Sequence, residues 1–278
     1  MTATTAGVWC EARFSYAGGT EAVPLVMPVL DGRAVPKADL PFDECGFELI
    51  SHRSEAVSDW TDHAAIEHAG AEEYAAFARA FTGCDAAAVT PTILRNPATA
   101  TRVADYAPIL SVHSDFTDDY RAMVTEPGRP YQAFLGRVLG RYGLTIDDVR
   151  SASRLMVLQL WKNVGPTRPD HPLAFCDARD VADPDRPVAI LIPEYGGERL
   201  DFQAYVFRPP AEGRADHWYT FPGMGVDEAV VFRTYDSARA EAGLPFFTPH
   251  SAFRDPAVAA TPENRRASVE MRSLCIWR

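Results

Sequence analysis

The residues of this chain best suited to chemistry gather around Ser111-Val-His-Ser-Asp-Phe-Thr117. His113 and Asp115 are two apart, and an extended strand repeats every two residues, so both side chains leave one face. An imidazole nitrogen and a carboxylate oxygen side by side on a rigid segment supply two ligands to one metal ion. A third must come from elsewhere, and Thr248-Pro-His250-Ser-Ala-Phe253 is the best supplier. Two imidazoles and one carboxylate, with the opposite face left open, make the facial triad on which non-haem Fe(II) chemistry with O2 is built. A short His-x-Asp pair arises often by chance, and a lone histidine is more often a hydrogen-bonded, partly buried ring than a ligand.

The remaining histidines offer less. Asp62-His63 and Glu67-His68 stand at i, i+5, which puts the imidazoles on different faces of a helix, and a solvated polar face explains them best. His52 carries no motif, and His171 precedes Pro172 in a turn. His217 heads an aromatic strand, where facing a substrate and simple packing are equally open.

The last strand supplies the second informative pattern. In Arg265-Arg-Ala-Ser-Val-Glu-Met-Arg272, strand alternation puts Arg266, Ser268, Glu270 and Arg272 on one face and Val269 and Met271 on the other. Such a charged face either meets solvent or lines an interior and holds an anion. In the second case an Arg fork matches a carboxylate bidentately and the serine hydroxyl adds one bond. A 2-oxoglutarate co-substrate would need that site.

Elements must exist to position these groups. The helix signal is clear over Ala71–Phe81, where Tyr74, Phe77, Ala78 and Phe81 fall at i, i+3, i+4 and i+7, Glu72 and Glu73 lie in the first turn, and Gly83 can cap the end. A second helix runs from Tyr131 through Phe134, Leu135, Val138 and Leu139 to Tyr142 before Gly143. Thr145-Ile-Asp-Asp148 resembles a capping-box start to a third. Val8–Tyr16 reads as a strand, the proline-broken Pro24–Leu30 as an edge strand or extended crossing, and Phe47–Ile50 is ambiguous. From about residue 154 short β-branched or aromatic segments follow one another, at 154–162, 173–179, 187–192, 203–207, 217–221, 229–235, 246–253 and 268–277. Strands without intervening helices predict an antiparallel sandwich or barrel, and their number suits a jelly roll.

Composition bounds the rest. The 278 residues are 47% hydrophobic, enough for a packed core, and 22 Pro with 18 Gly imply many turns. No apolar run approaches a bilayer span, the longest such as Val188–Ile192 being strand-sized, and Met1-Thr-Ala-Thr-Thr lacks the marks of a secretory signal. Cys10, Cys45, Cys84, Cys176 and Cys275 are odd in number and widely spaced, which argues against a disulfide framework and against a thiolate zinc site. A net charge of −11 disfavours nucleic acid. Lys37 and Lys162 are the only lysines among 27 basic residues, which makes Lys162 worth following.

Several runs together resemble one family. Leu158-Gln-Leu-Trp-Lys162, Pro172-Leu-Ala-Phe-Cys-Asp-Ala-Arg179, His217-Trp-Tyr-Thr-Phe221, Tyr235-Asp-Ser237, Phe247-Thr-Pro-His-Ser-Ala-Phe253-Arg-Asp-Pro256 and Arg266-Ala-Ser-Val-Glu-Met-Arg272 look like the CmcJ/asaB-type oxygenases. That group includes cephamycin 7α-hydroxylation proteins and fungal hydroxylase/desaturase enzymes. The resemblance runs from about residue 47 to the C-terminus, and the order of the motifs carries it more than any one of them. It implies a double-stranded β-helix that uses Fe(II), O2 and 2-oxoglutarate. Position by position, it implies His113, Asp115 and His250 as iron ligands, Arg266 with Ser268 as the clamp for the distal carboxylate, and Arg272 as a second partner. The chain departs from the family where an Asn-Val-Trp-Arg-Pro-like run is usual. Gln159 still offers an amide near the metal, and Lys162 keeps a charge but loses the Arg fork.

The expectation is therefore a mainly β protein with flanking helices: a double-stranded β-helix, jelly-roll or cupin-like, in one domain over 1–278. Residues 1–110 would buttress a jelly-roll core formed by 111–278. Its expected activity is Fe(II)/2-oxoglutarate-dependent oxidation of an unactivated C–H bond of a small molecule, by hydroxylation, desaturation or ring formation, in a cytoplasmic biosynthetic pathway. Because Asp115 fills the carboxylate position, halogenation is disfavoured. The alternatives are a metal hydrolase using the same His2Asp set with Zn2+, and a non-catalytic cupin-like binding protein. Trp218, Tyr219, Phe221 and Phe116 could line a pocket, although strand aromatics are more often core. Membrane and nucleic-acid partners are not expected, and oligomeric state is open.

Overall fold

The computed structural model describes residues 7–19 and 21–278. Among the described residues fourteen strands follow one another: β1 (Val8–Gly18), β2 (Glu21–Asp31), β3 (Phe47–Ser51), β4 (Ala86–Val89), β5 (Ile93–Arg95), β6 (His113–Ser114), β7 (Arg154–Asn163), β8 (Leu173–Cys176), β9 (Pro187–Tyr195), β10 (Glu198–Phe207), β11 (Trp218–Thr220), β12 (Glu228–Asp236), β13 (His250–Ala252) and β14 (Ser268–Trp277). Eight form one sheet in the order β1-β2-β11-β8-β13-β6-β10-β9. The other sheet runs β3-β12-β7-β14-β4, with β5 also paired to β14. Neighbours are antiparallel throughout except β2 and β11, whose Val29–Asp31 and Trp218–Thr220 run parallel. Two facing sheets with neighbours far apart in sequence make the expected jelly roll.

Strand alternation builds the interior. On β14, Val269, Met271 and Cys275 point outward into a cluster with Tyr74, Ala75 and Ala78 of the helix Ala71–Thr82. That helix ends where Gly83 adopts φ +72° and its N–H bonds the Arg79 carbonyl. Leu274 and Ile276 point inward, into a cluster with Phe116, Tyr120 and Leu135. The helices Tyr120–Thr125, Pro130–Arg141 and Ile146–Ser151 close that end, the last capped reciprocally by Thr145 and Asp148. A second inward cluster, with Phe47, Trp161, Phe175, Phe221 and Phe232, fills the other end. Ser268, Glu270 and Arg272 belong to the inward register of β14, and Gln159 to that of β7 (with Val157 and Trp161). A polar layer therefore lies between two apolar ones.

Before residue 110 the described strands join both sheets, β1 and β2 extending the larger, β3, β4 and β5 the smaller, while the helix Ala71–Thr82 packs on the outer face of β14. The prolines of β2 conceal this in the sequence. Pro24 and Pro28 are tolerated because β11 covers only Val29–Asp31 and leaves the rest of that side unpaired. The run of strands after residue 154 is also interrupted, by a short helix Ser237–Glu241 that the side chain of Asp236 caps. Among the described residues no helix is long and apolar enough to cross a membrane.

Candidate metal centre

β6 and β13 are adjacent and antiparallel, and His113 and His250 are the paired residues. Their rings lie 4.3 Å apart between centroids. Each ring is fixed by its own upstream backbone. Nδ1 of His113 lies 2.8 Å from the Ser111 carbonyl, and Nδ1 of His250 lies 3.0 Å from the Thr248 carbonyl. A carbonyl can only accept, so both Nδ1 atoms carry the proton and both Nε2 lone pairs are free. Phe232 packs edge-on against His250 at 4.9 Å.

Asp115 completes the cluster. Its Oδ1 stands 3.7 Å from Nε2 of His113 and 3.9 Å from Nε2 of His250, and the three ligand atoms all lie within 4.8 Å of one another. Its other oxygen is engaged: Arg272 Nη2 lies 3.0 Å from Oδ2, and the Gln159 amide donates to the same atom. One oxygen is tied down while the other faces the imidazoles. Burial alone would raise the Asp115 pKa, but Arg272, His250 and His113, with the Gln159 hydrogen bond, hold it well below the usual carboxylate range. Burial, followed by the neighbouring His113, pushes His250 down to about 4, and burial likewise lowers His113. The cluster is thus one carboxylate and two neutral imidazoles near pH 7, the protonation state that a divalent metal requires.

The charged face of β14 turns inward. Arg266 donates from Nε to Ser268 Oγ at 3.1 Å, and its guanidinium lies over Trp161 at 5.3 Å. Its Nη1 is buried without a partner. A small cavity lined by Arg95, Arg266, Glu270 and Arg272 reaches His113, Asp115 and His250. Three guanidiniums and the Asp115 and Glu270 carboxylates leave one net positive charge there, before any metal. An orphaned guanidinium donor beside a three-ligand cluster fits an anionic co-ligand of the metal, and the donor set fits ferrous iron.

Arg95 is the residue the sequence reading missed. Its Nε bonds Glu270 Oε1 at 2.5 Å, its Nη1 bonds the carbonyls of Asp105 and Ala107, and its Nη2 bonds the Tyr195 hydroxyl at 2.7 Å. Glu270 therefore pairs with Arg95 first; Arg266 and Arg272 are 3.6 and 3.7 Å away. A lone arginine in the apolar run Ile93-Leu-Arg95 was the available signal. Asp170 is a second omission, its Oδ1 accepting the Arg266 backbone N–H at 3.1 Å.

Lys162 does not belong to the site. It lies on the opposite face of β7 from Gln159, and its Nζ donates to the carbonyls of His52, Val226 and Glu228 and lies 4.9 Å from the Trp60 ring. One residue beyond Trp161 in a strand is the wrong face. His217 is exposed and faces Asp180, while Trp218, Tyr219 and Phe221 are core; only Phe116 of the four aromatics reaches a cavity at the cluster. His63 and His68 are exposed, on the short helical segments His63–Ala65 and Ile66–Gly70 that lead into the helix Ala71–Thr82, and His171 pairs with Asp170.

Residues 20–276 match the Oxidoreductase/YMDC permease-like domain family. Among curated proteins, the chain is 26% identical over 245 residues to the hydroxylase/desaturase CTB9 of Cercospora beticola, covering 84% of this chain and 71% of that protein. It is 28% identical over 178 residues to the hydroxylase/desaturase efuI of Hormonema carpetanum, covering 62% of this chain and 52% of that one. Among solved structures, a variant of the iron and alpha-ketoglutarate-dependent endoperoxidase NvfI superposes with TM-score 0.74 at 19% identity over 99% of both chains. Another structure of that enzyme gives 0.71 at 20% identity, covering 97% of this chain and 98% of the other.

Proposed function

The chain belongs to the Oxidoreductase/YMDC permease-like domain family, and we propose that it is a non-haem Fe(II)- and 2-oxoglutarate-dependent oxygenase that oxidises a C–H bond of a small molecule in natural-product biosynthesis. The observation that carries this reading is the convergence of His113, Asp115 and His250 beside an unpaired Arg266 donor. The relatives named hydroxylase/desaturase and the fold shared with an iron and alpha-ketoglutarate-dependent endoperoxidase support it. Ferrous iron held there would let O2 oxidise both 2-oxoglutarate, to succinate and CO2, and a substrate C–H bond.

The chain's own residues have separable tasks. His113 and His250 offer Nε2 lone pairs, oriented by the Ser111 and Thr248 carbonyls. Gln159 and Arg272 hold Asp115 so that Oδ1 faces the metal position. Arg266 and Ser268 take the distal carboxylate of 2-oxoglutarate, and Glu270, engaged by Arg95, separates the neighbouring guanidiniums. A metal hydrolase would need a free carboxylate base beside the ligands, and Glu270 is committed to arginines. A halogenase would need space where Asp115 stands. The described cysteines are all free thiols, which suits a reducing compartment, and we place the protein in the cytoplasm.

The test is an anaerobic titration. Fe(II) and 2-oxoglutarate together should give a faint visible charge-transfer band that neither gives alone. Zn2+-supported turnover without O2 would instead establish a hydrolase, and absence of metal binding would leave a ligand-binding protein.

A further inference from the structure

Two cavities meet at the His113–Asp115 pair, and their walls are of opposite character. The smaller is the guanidinium-lined one described above. The larger, about 290 Å³, is walled by aromatic and aliphatic side chains. Phe116, Tyr131, Phe134 and Phe202 form a connected aromatic wall, with centroids 5.9 Å apart for Phe116–Tyr131, 5.4 Å for Tyr131–Phe134 and 6.1 Å for Tyr131–Phe202. The β9–β10 hairpin adds Ile192 and Leu200, and its tip is pinned where the Gly196 N–H donates to Asp105 Oδ2 at 2.8 Å.

The charges on this wall are all paired. Asp115 and Arg272 bond each other, with Arg272 also near Glu270, and Glu198 is engaged by Arg137. Among the described residues the guanidinium lining the larger cavity, that of Arg272, is already committed to Asp115 and Glu270, and only its Nε is buried without a hydrogen-bond partner. An anion entering it would lose its water and gain no counter-charge. Hydroxyl groups supply hydrogen-bonding capacity, among them the phenols of Tyr131 and Tyr195, and the Tyr195 ring lies 5.9 Å from the Arg272 guanidinium, at the metal end.

We propose that this cavity takes an uncharged, ring-containing, mostly apolar substrate with a hydroxyl or carbonyl oxygen at the end nearest the metal ligands. Free carboxylic acids, amino acids and phosphate-bearing thioesters are excluded by the missing counter-charge. The assignment of the cavity to substrate rests on the oxygenase reading above.

Binding can be measured without turnover. Protein loaded with Mn(II) and 2-oxoglutarate, so that the guanidinium side is filled, is titrated at neutral pH with 1-naphthol and with 1-naphthoate, following tryptophan and tyrosine quenching. The neutral probe should bind roughly tenfold or more tightly than the anion. Ile192→Arg should reverse the order by supplying the missing cation, and Phe134→Arg, on a different element, should do the same if the first variant folds poorly. Equal affinities, tighter naphthoate binding to the parent protein, or no saturable binding of either probe would overturn the proposal. Succinate formation from Fe(II) and 2-oxoglutarate, assayed on the same preparation, tests the oxygenase reading separately.

Discussion

His113 and His250 are directly opposed residues of two neighbouring antiparallel strands, so the sheet itself sets the distance between their rings at 4.3 Å. Neither strand can shift without breaking the ladder to β8 or β10. Replacing either histidine with Ala should weaken Fe(II) or Co(II) binding at least about a hundredfold while circular dichroism stays unchanged, since truncation removes a ligand and leaves the backbone pairing intact. Stoichiometric metal in either variant, measured after dialysis, would count against these ligands.

Asp115 depends on its supports. Gln159 and Arg272 both hold Oδ2, which leaves Oδ1 free. Gln159→Leu should lower metal affinity about 10–100-fold, the usual effect of losing such a support. The maximal rate with saturating iron should suffer less. An unchanged iron affinity by competition with a chelator dye would show that Arg272 alone orients the carboxylate.

Arg266 is the proposed partner of the co-substrate carboxylate because its Nη1 is buried and unpartnered, whereas Arg272, whose Nε is likewise unpartnered, is committed to Asp115 at 3.0 Å. Arg266→Ala should raise the 2-oxoglutarate KM by an amount equivalent to about 2–5 kcal/mol. Asp170 should act through it. That carboxylate accepts the Arg266 backbone N–H and a bond from Arg265, so Asp170→Asn should raise the same KM more modestly and leave iron affinity alone. A KM that stays put in Arg266→Ala would move the anion to Arg272 or Arg95.

How much of this could be read from the chain differs residue by residue. Strand alternation is enough to put Ser268, Glu270 and Arg272 on one face, because β14 is a regular strand with Val269 and Met271 opposite, and Arg266, two residues before it, reaches the same side through its bond to Ser268. It could not say that the face was interior; that depends on which sheet covers it. His113 and Asp115 were legible as a pair, and His250 as a partner only by chemistry, since register between distant strands leaves no local trace. Arg95 was hidden for the same reason: its partners Glu270 and Tyr195 are contributed by other strands. Lys162 sits three residues after Gln159 and so on the other face of β7, a difference that a resemblance along the sequence does not register.

Lys162 should matter for stability and not for co-substrate binding. Its ammonium ties β7 to the carbonyls of His52, Val226 and Glu228, deep in the fold. Lys162→Met would leave those carbonyls without their donor, at a cost of about 2–3 kcal/mol. A lowered urea midpoint with an unchanged 2-oxoglutarate KM is the expected pair of results. A raised KM in protein that is still folded would return this residue to the site.

The metal-free protein should become less stable as it is acidified from neutrality. Burial, reinforced by His113 and opposed by Asp115, holds the folded His250 pKa at about 4. In the unfolded chain a histidine titrates near ~6.5. Between those values the unfolded state binds more protons than the folded one, so stability rises with pH across the window and levels off above it. The full difference corresponds to about 3 kcal/mol for His250, of which about 2 kcal/mol should already be lost on going from pH 7 to pH 5. His113, lowered in the same direction, adds to the loss. Urea unfolding of chelator-treated protein at those two pH values should show it, and His250→Gln should flatten the dependence. If the variant and the parent fall in parallel, acid sensitivity arises from carboxylates elsewhere and not from imidazoles kept neutral by burial.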